Sequence, residues 1–399
     1  MTSAHDKTAR SNPLRVLGLI SLAHCLNDTT QSLVIALYPL FKDNFDLNFT
    51  EIGFLSFAYQ MCASVLQPAI GFYTDKHPRP HLLPTGMTFT VVGLVCMAYA
   101  AGYVWLLAGS VLLGAGSAVF HPESSRVAYM AADGKFGRAQ AIFQVGGNFG
   151  QAVGPLIAAA FVLGHGQKSL TLFACIPLAC CLTLLFIARW VTRQNRSATR
   201  DKQTKKKAAP HPAWKRALAV LFVLMASKQI YTVSLANFLT FYLINRFDVS
   251  VETSQIYLFL FLGAIALGGY LGGPVGDRFG RKPVIWFSIL GAAPFTLALP
   301  YMDLGGTAVL AALIGFVMAS SFSAIVVFAQ ELTPGHVGAV AGLFFGLSFG
   351  LGGIGAALLG KLADLTSIDL VYSLCSFLPL MGLLTVFLPD QPRTEPGKA

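Results

Sequence analysis

Seven ionisable side chains stand inside long apolar stretches of this 399-residue chain, and their types suit proton exchange and anion binding better than covalent catalysis. His24 and Asp28 lie one helical turn apart. His121, Glu123 and Arg126 follow in another stretch, Lys228 in a third, and Glu331 closes a fourth. A charge at the centre of a bilayer costs at least about 2.5 kcal/mol, so such residues face a watery cavity and mark proton or substrate routes. Asp28 has no Lys or Arg at i+3 or i+4; with Glu123 it is a candidate carrier of an exchangeable proton. His24 and His121 read equally as proton relays or as packed hydrogen-bonding residues. Glu123 and Arg126 share a helix face and either neutralise each other or serve the mechanism. Lys228 lacks an acidic neighbour within a turn, which leaves it a partner elsewhere or a bound anion. Glu331 sits near the cytoplasmic surface as a gate or interfacial residue. Asn27, Gln31, Gln144, Asn148, Tyr231 and Asn237 are the neutral candidates for substrate contact.

The elements that hold these residues are set by composition. With 55% apolar residues, 31 Phe and only 12% charged residues, most of the chain must face lipid. Crossing a bilayer takes roughly 20 apolar residues, and twelve stretches qualify: 14–40, 49–72, 82–102, 104–131, 137–163, 168–190, 217–245, 252–276, 283–302, 304–331, 337–362 and 368–388. No strand-type alternation interrupts them, so the expected architecture is an all-α membrane protein of two six-helix bundles. The deep ionisable residues fall on stretches 1, 4, 7 and 10, the first of each of four three-helix units.

The net charge of +10 does not point to nucleic acid, because ten of the 28 Lys and Arg crowd one connector between Arg189 and Arg216. Basic juxtamembrane residues mark cytoplasmic loops, and alternate connectors agree: Lys76 and Arg79, Lys135 and Arg138, then Arg278, Arg281 and Lys282. Both termini are therefore expected in the cytoplasm. The division is a tail (1–13), an N-terminal bundle (14–190), a basic linker (191–216), a C-terminal bundle (217–388) and a tail (389–399). The first dozen residues lack the short apolar region and cleavage site of a signal peptide. All seven cysteines lie in apolar segments without metal-type spacing and read as small core residues. No metal, cofactor or disulfide framework is expected, and the chain is expected to act as a monomer.

Gly346-Leu-Ser-Phe-Gly350 and Gly350-Leu-Gly-Gly-Ile-Gly355 match a nucleophile elbow and a dinucleotide fingerprint, yet both need a strand-turn-helix context and sit inside one apolar helix. Spacing by four makes better sense of the glycines: Gly146, Gly150 and Gly154, followed by Pro155; Gly268 and Gly272; Gly342, Gly346 and Gly350. Small residues so spaced let helix backbones approach closely in lipid. A membrane-embedded enzyme is the least supported reading.

A polar turn recurs 202 residues apart: Gly71-Phe-Tyr-Thr-Asp75-Lys76-His-Pro-Arg79 and Gly273-Pro-Val-Gly-Asp277-Arg278-Phe-Gly-Arg281. This G-x-x-x-D-[RK]-x-x-R form resembles the loop signature of the major facilitator superfamily of secondary transporters. The first copy departs from it in carrying Pro78 and Pro80 where the second has Gly280 and Lys282, which marks the first loop as the weaker gate. The resemblance implies that stretches 1, 4, 7 and 10 line a central cavity. It implies too that Asp75 and Asp277 steady one state of the gate, and that stretches 5 with 8 and 2 with 11 form sliding contacts between the halves. Gly150-Gln-Ala-Val-Gly154-Pro155 resembles the core of an antiporter signature, without that signature's downstream glycine pair. Ser21 to Asp28, His121-Pro-Glu123-Ser-Ser-Arg126, Phe143 to Gly150 and Gly272 to Arg278 are similar to the fosmidomycin resistance branch of the superfamily. That implies proton-coupled efflux of a small anionic drug. Proton symport of an organic anion uses the same cavity chemistry, and a non-transporting sensor or scaffold is disfavoured by the duplicated turn.

Overall fold

The computed structural model describes residues 13–47, 49–201 and 210–390. Each of the twelve apolar stretches is helical: α1 (Pro13–Ala36), α2 (Phe49–Lys76), α3 (Leu82–Ala98), α4 (Tyr103–Met130), α5 (Phe136–Ile157), α6 (Cys175–Asp201), α7 (Trp214–Phe247), α8 (Val251–Phe279), α9 (beginning Arg281–Ile289), α10 (Leu304–Ala319 and Ser321–Leu332), α11 (Val337–Leu365) and α12 (beginning Ile368–Cys375). Apolar side chains run around α1, α3, α4 and the first part of α10 rather than along one stripe, as in helices immersed in lipid.

Several stretches depart locally from α-helical geometry. After α1 a short helix, Tyr38–Phe45, carries Pro in its first turn, and α5 passes into a π-helical turn at Ala158–Val162. α9 relaxes to 3-10 geometry at Leu290–Ala292, and α12 continues as the 3-10 segment Leu378–Phe387, with Pro379 in its first turn. Pro68, Pro122 and Pro274 lie inside α2, α4 and α8; membrane helices tolerate proline because neighbouring groups re-satisfy the freed carbonyls.

The chain divides into two compact units. The first holds α1–α6 and takes in Gly335–Leu343 at the start of α11; the second holds the remainder. In the first, α1 packs on α5, α2 and α3 on α4, and α6 covers α1 and α3. In the second, α8 packs on α10 and α7 against α12. The boundary expected at residue 190 lies inside α6, which runs on to Asp201; the basic residues from Lys202 to Lys207 lie outside the described residues. Large apolar side chains such as Phe54, Phe57, Leu182 and Phe259 remain exposed, the surface of a multi-pass membrane fold.

The cysteines depart from expectation. All seven are free thiols, but only Cys180 and Cys375 are buried, and Cys175 is exposed. A thiol is apolar enough for the outer face of a membrane helix, so an apolar context did not fix burial.

Candidate functional site

α1 and α4 converge on Asp28. Its Oδ2 lies 3.5 Å from His24 Nε2 and its Oδ1 3.9 Å from His121 Nε2, with all three side chains buried. His24 and Asp28 share a face of α1 because four residues make one turn, and His121 arrives from the middle of α4. The carboxylate is held by Asn27 Nδ2 (2.9 Å) and by Gln151 Nε2 on α5 (3.0 Å). The His24 ring stacks on Phe143, centroids 4.1 Å apart. Gly147 makes room for it: a Cβ there would stand 2.5 Å from His24 Cε1 and Nε2.

Hydrogen bonding fixes both imidazole tautomers. His24 Nδ1 is 2.8 Å from the Phe143 carbonyl and His121 Nδ1 3.0 Å from the Ser117 carbonyl. A carbonyl oxygen only accepts, so each Nδ1 carries the hydrogen and a neutral ring turns its Nε2 lone pair toward Asp28. Two imine nitrogens and a carboxylate thus converge, an arrangement that a shared proton or a bound cation stabilises. One turn along α1, Gln31 accepts a hydrogen bond from the Tyr59 hydroxyl.

Glu123 and Arg126, grouped with His121 in the sequence, belong elsewhere. Two residues along a helix turn a side chain through about 200°, so Glu123 faces α2, where the Thr74 hydroxyl bonds to it. Arg126 Nη1 lies 3.4 Å from Glu123, while Nη2 reaches Asp75 at 2.6 Å and Thr74 Oγ1 at 3.0 Å. Asp75 also accepts hydrogen bonds from the backbone N–H groups of Gly338 (3.0 Å) and Ala339 (2.8 Å) in the first turn of α11. Gly71 opens the loop signature because the Gly338 backbone rests where its Cβ would be. The structure therefore brings Arg126 to the loop signature rather than to the Asp28 cluster.

The second copy is wired differently. Asp277 pairs with Arg281 at 2.6 Å, and Arg281 reaches Glu331 at 3.3 Å. Lys76 and Arg278 are exposed and lie over the rings of Phe72 and Phe279, and Arg79 lies over Tyr73.

Lys228 is buried in α7 with its Nζ 5.2 Å from the centre of the Phe322 ring, and it has no carboxylate partner among the described residues. Tyr231 is buried in the core of the second unit, near the stacked pair Tyr242 and Tyr372. Gln144 and Asn148 are half-buried on α5. The side chains of Asn237 and Pro155 lie outside the described residues.

The spaced glycines pack helices, but inside each unit. Gly146 and Gly150 face the backbone carbonyls of Ser21 and Cys25 on α1, and Gly154 faces Ser32 and Leu33. Gly268 and Gly272 face the carbonyls of Phe316 and Ser320 on α10. This corrects the expectation that stretches 5 and 8 spend these faces on a contact between the halves. Gly342 faces Gln67 and Pro68 on α2; Gly346 is buried and Gly350 half-buried.

Gln151, Gly147, Tyr59 and Thr74 escaped the sequence reading. Only Gln151 carried a signal, as the polar residue inside a run of small packing residues.

The Major Facilitator Superfamily model matches residues 20–357 and 218–399. The fosmidomycin resistance protein of Escherichia coli (strain K12) is 50% identical over 389 residues, 97% of this chain and 96% of that protein. An uncharacterized MFS-type transporter of Bacillus subtilis (strain 168), YfnC, is 40% identical over 382 residues, 95% of this chain and 93% of that one. Two solved structures share the fold: the transporter FucP in the outward conformation, at TM-score 0.75 and 14% identity over 96% of this chain and all of that one, and the human organic anion transporter MFSD10, at 0.75 and 15% over 94% of this chain and all of that one. The duplicated loop signature, the twelve helices and these matches together make the chain a member of the Major Facilitator Superfamily, a membrane transporter and not an enzyme.

Proposed function

We propose that the chain exports fosmidomycin, or a similarly small anionic drug, across the bacterial inner membrane in exchange for protons. The observation that carries this reading is its 50% identity, over 97% of its length, to a fosmidomycin resistance protein. Two features of the molecule support it. Lys228 is a buried cation facing an aromatic ring without a carboxylate among the described residues, suited to a phosphonate that it attracts strongly once both are shielded from water. Asp28, between two Nε2 atoms, is suited to gain and lose a proton as the site opens to each side in turn. In this reading the Asp75 and Asp277 networks are latches of that cycle, and the protein works as a monomer embedded in lipid, with both termini cytoplasmic.

The sign of the driving gradient tests it. In proteoliposomes with the membrane potential clamped at zero, antiport predicts fosmidomycin accumulation when the interior is acid. Accumulation only with an acid exterior would replace antiport by symport. Indifference to either gradient, with counterflow intact, would remove the proton from the mechanism.

A further inference from the structure

We propose that His24, Asp28 and His121 form a binding site for one divalent transition-metal ion of the zinc class. No cysteine or histidine spacing along the chain signals such a site, because the ligands come from two helices. One donor atom from each residue lies within 4.8 Å of the other two, and the Nε2 atoms stand 3.5 and 3.9 Å from the two Asp28 oxygens. Zinc bonds of about 2.0–2.2 Å place tetrahedral ligands about 3.3 Å apart, so small side-chain rotations close the site.

The groups behind the ligands argue for a metal more sharply than the spacing does. A metal-bound histidine almost always donates its other ring N–H to a carbonyl or carboxylate, which fixes the tautomer and aims the lone pair. Both histidines do so here, to Phe143 and Ser117. The carboxylate is likewise oriented, by Asn27 and Gln151. Two imidazoles and one carboxylate favour zinc, copper, iron or nickel over magnesium or calcium, and three protein ligands leave a fourth position for water.

The proposal concerns equilibrium binding at the residues to which the transport reading gives the proton, and it is tested by binding rather than by flux. Tag-free protein in detergent would be titrated with Co2+ and followed by absorption, then with Zn2+ by calorimetry. The expected result is one equivalent of Co2+ with the intense visible bands of tetrahedral coordination, displaced by Zn2+. His121→Gln and Asp28→Asn should each weaken Zn2+ binding at least tenfold, and Gln151→Leu, which removes only a supporting hydrogen bond, about tenfold. The wild-type cobalt spectrum needs no variant to fold. Weak octahedral bands, no bound equivalent, or one retained in His121→Gln would overturn the proposal, since retained binding belongs to exposed histidines such as His77 and His81. Failure here would leave proton-coupled transport untouched, because that reading is tested by flux.

Discussion

Asp75→Asn tests whether the first loop signature clamps the start of α11. The carboxylate takes three donors, Arg126 Nη2 at 2.6 Å and the Gly338 and Ala339 amides at 3.0 and 2.8 Å. Those amides are among the first-turn N–H groups that no helix can satisfy internally. An asparagine keeps the size but offers one acceptor oxygen, so its NH2 group must face Arg126 or an amide. Losing a hydrogen bond to a charged group costs about 1.5–3 kcal/mol, and losing the negative charge beside a helix N-terminus costs about 0.3–1 kcal/mol more. Even a loss of about 2 kcal/mol corresponds to a ~30-fold change in the opening equilibrium. Hydrogen–deuterium exchange followed by mass spectrometry reads this directly. A peptide spanning 337–340 should exchange ~30-fold faster or more in the variant, while one spanning 324–332 in α10 stays unchanged. Exchange at the wild-type rate would show that Asp75 does not hold α11, and the latch would be wrong.

Three further outcomes follow from the same geometry. Asp28→Asn keeps shape but cannot titrate, so pH-driven flux should vanish while the variant is recovered folded; wild-type flux would move the coupling proton elsewhere. Gly147→Ala forces His24 aside, an overpacking that costs about 1–3 kcal/mol; a lowered thermal midpoint together with reduced pH-driven flux is expected, and neither would change if the ring yields freely. Lys228→Gln should weaken fosmidomycin binding by about 10- to 100-fold, the equivalent of one hydrogen bond to a charged group, and barely affect a neutral ligand of similar size, whereas equal weakening of both would make Lys228 a structural residue.

The fold was legible because span length and charge asymmetry are one-dimensional properties of a membrane chain. Breaks in the spans were less so: Leu290–Ala292 and Leu378–Phe387 sit in stretches as apolar as any other. Within the site, His24 and Asp28 could be paired because they share a helix, where spacing in sequence is spacing in space. His121 could be placed in the right helix but not against Asp28. Its neighbours Glu123 and Arg126 were misdirected for the same reason, since each residue of α4 turns about 100° further around the axis. The sequence groups them; the helix sends His121 toward Asp28 and the other two toward α2. Gln151 and Gly147 act across helix contacts, which a single sequence does not state.

The two loop signatures show what the duplication kept and what it replaced. The left-handed residues Asp46 and Asp248, at φ 50° and 52°, are 202 positions apart, and so are Asp133 and Gly335, at φ 47° and 87°. The turn spacing thus reproduces the offset of the motif itself. By that offset Gly280, at φ 96°, corresponds to Pro78, whose ring fixes φ near −65° and forbids the same turn. Gly280 lets α9 begin at once with Arg281, which folds back onto Asp277 four residues earlier. Pro78 prevents this, α3 starts only at Leu82, and Arg79 lies over Tyr73 instead. The cation that the first loop cannot supply comes from α4, as Arg126. The proline therefore changes where the counter-charge comes from. It moves the counter-charge from the loop onto a rigid helix, one turn beyond Glu123 and five residues beyond His121, so that the first loop and the Asp28 cluster hang from opposite sides of one helix.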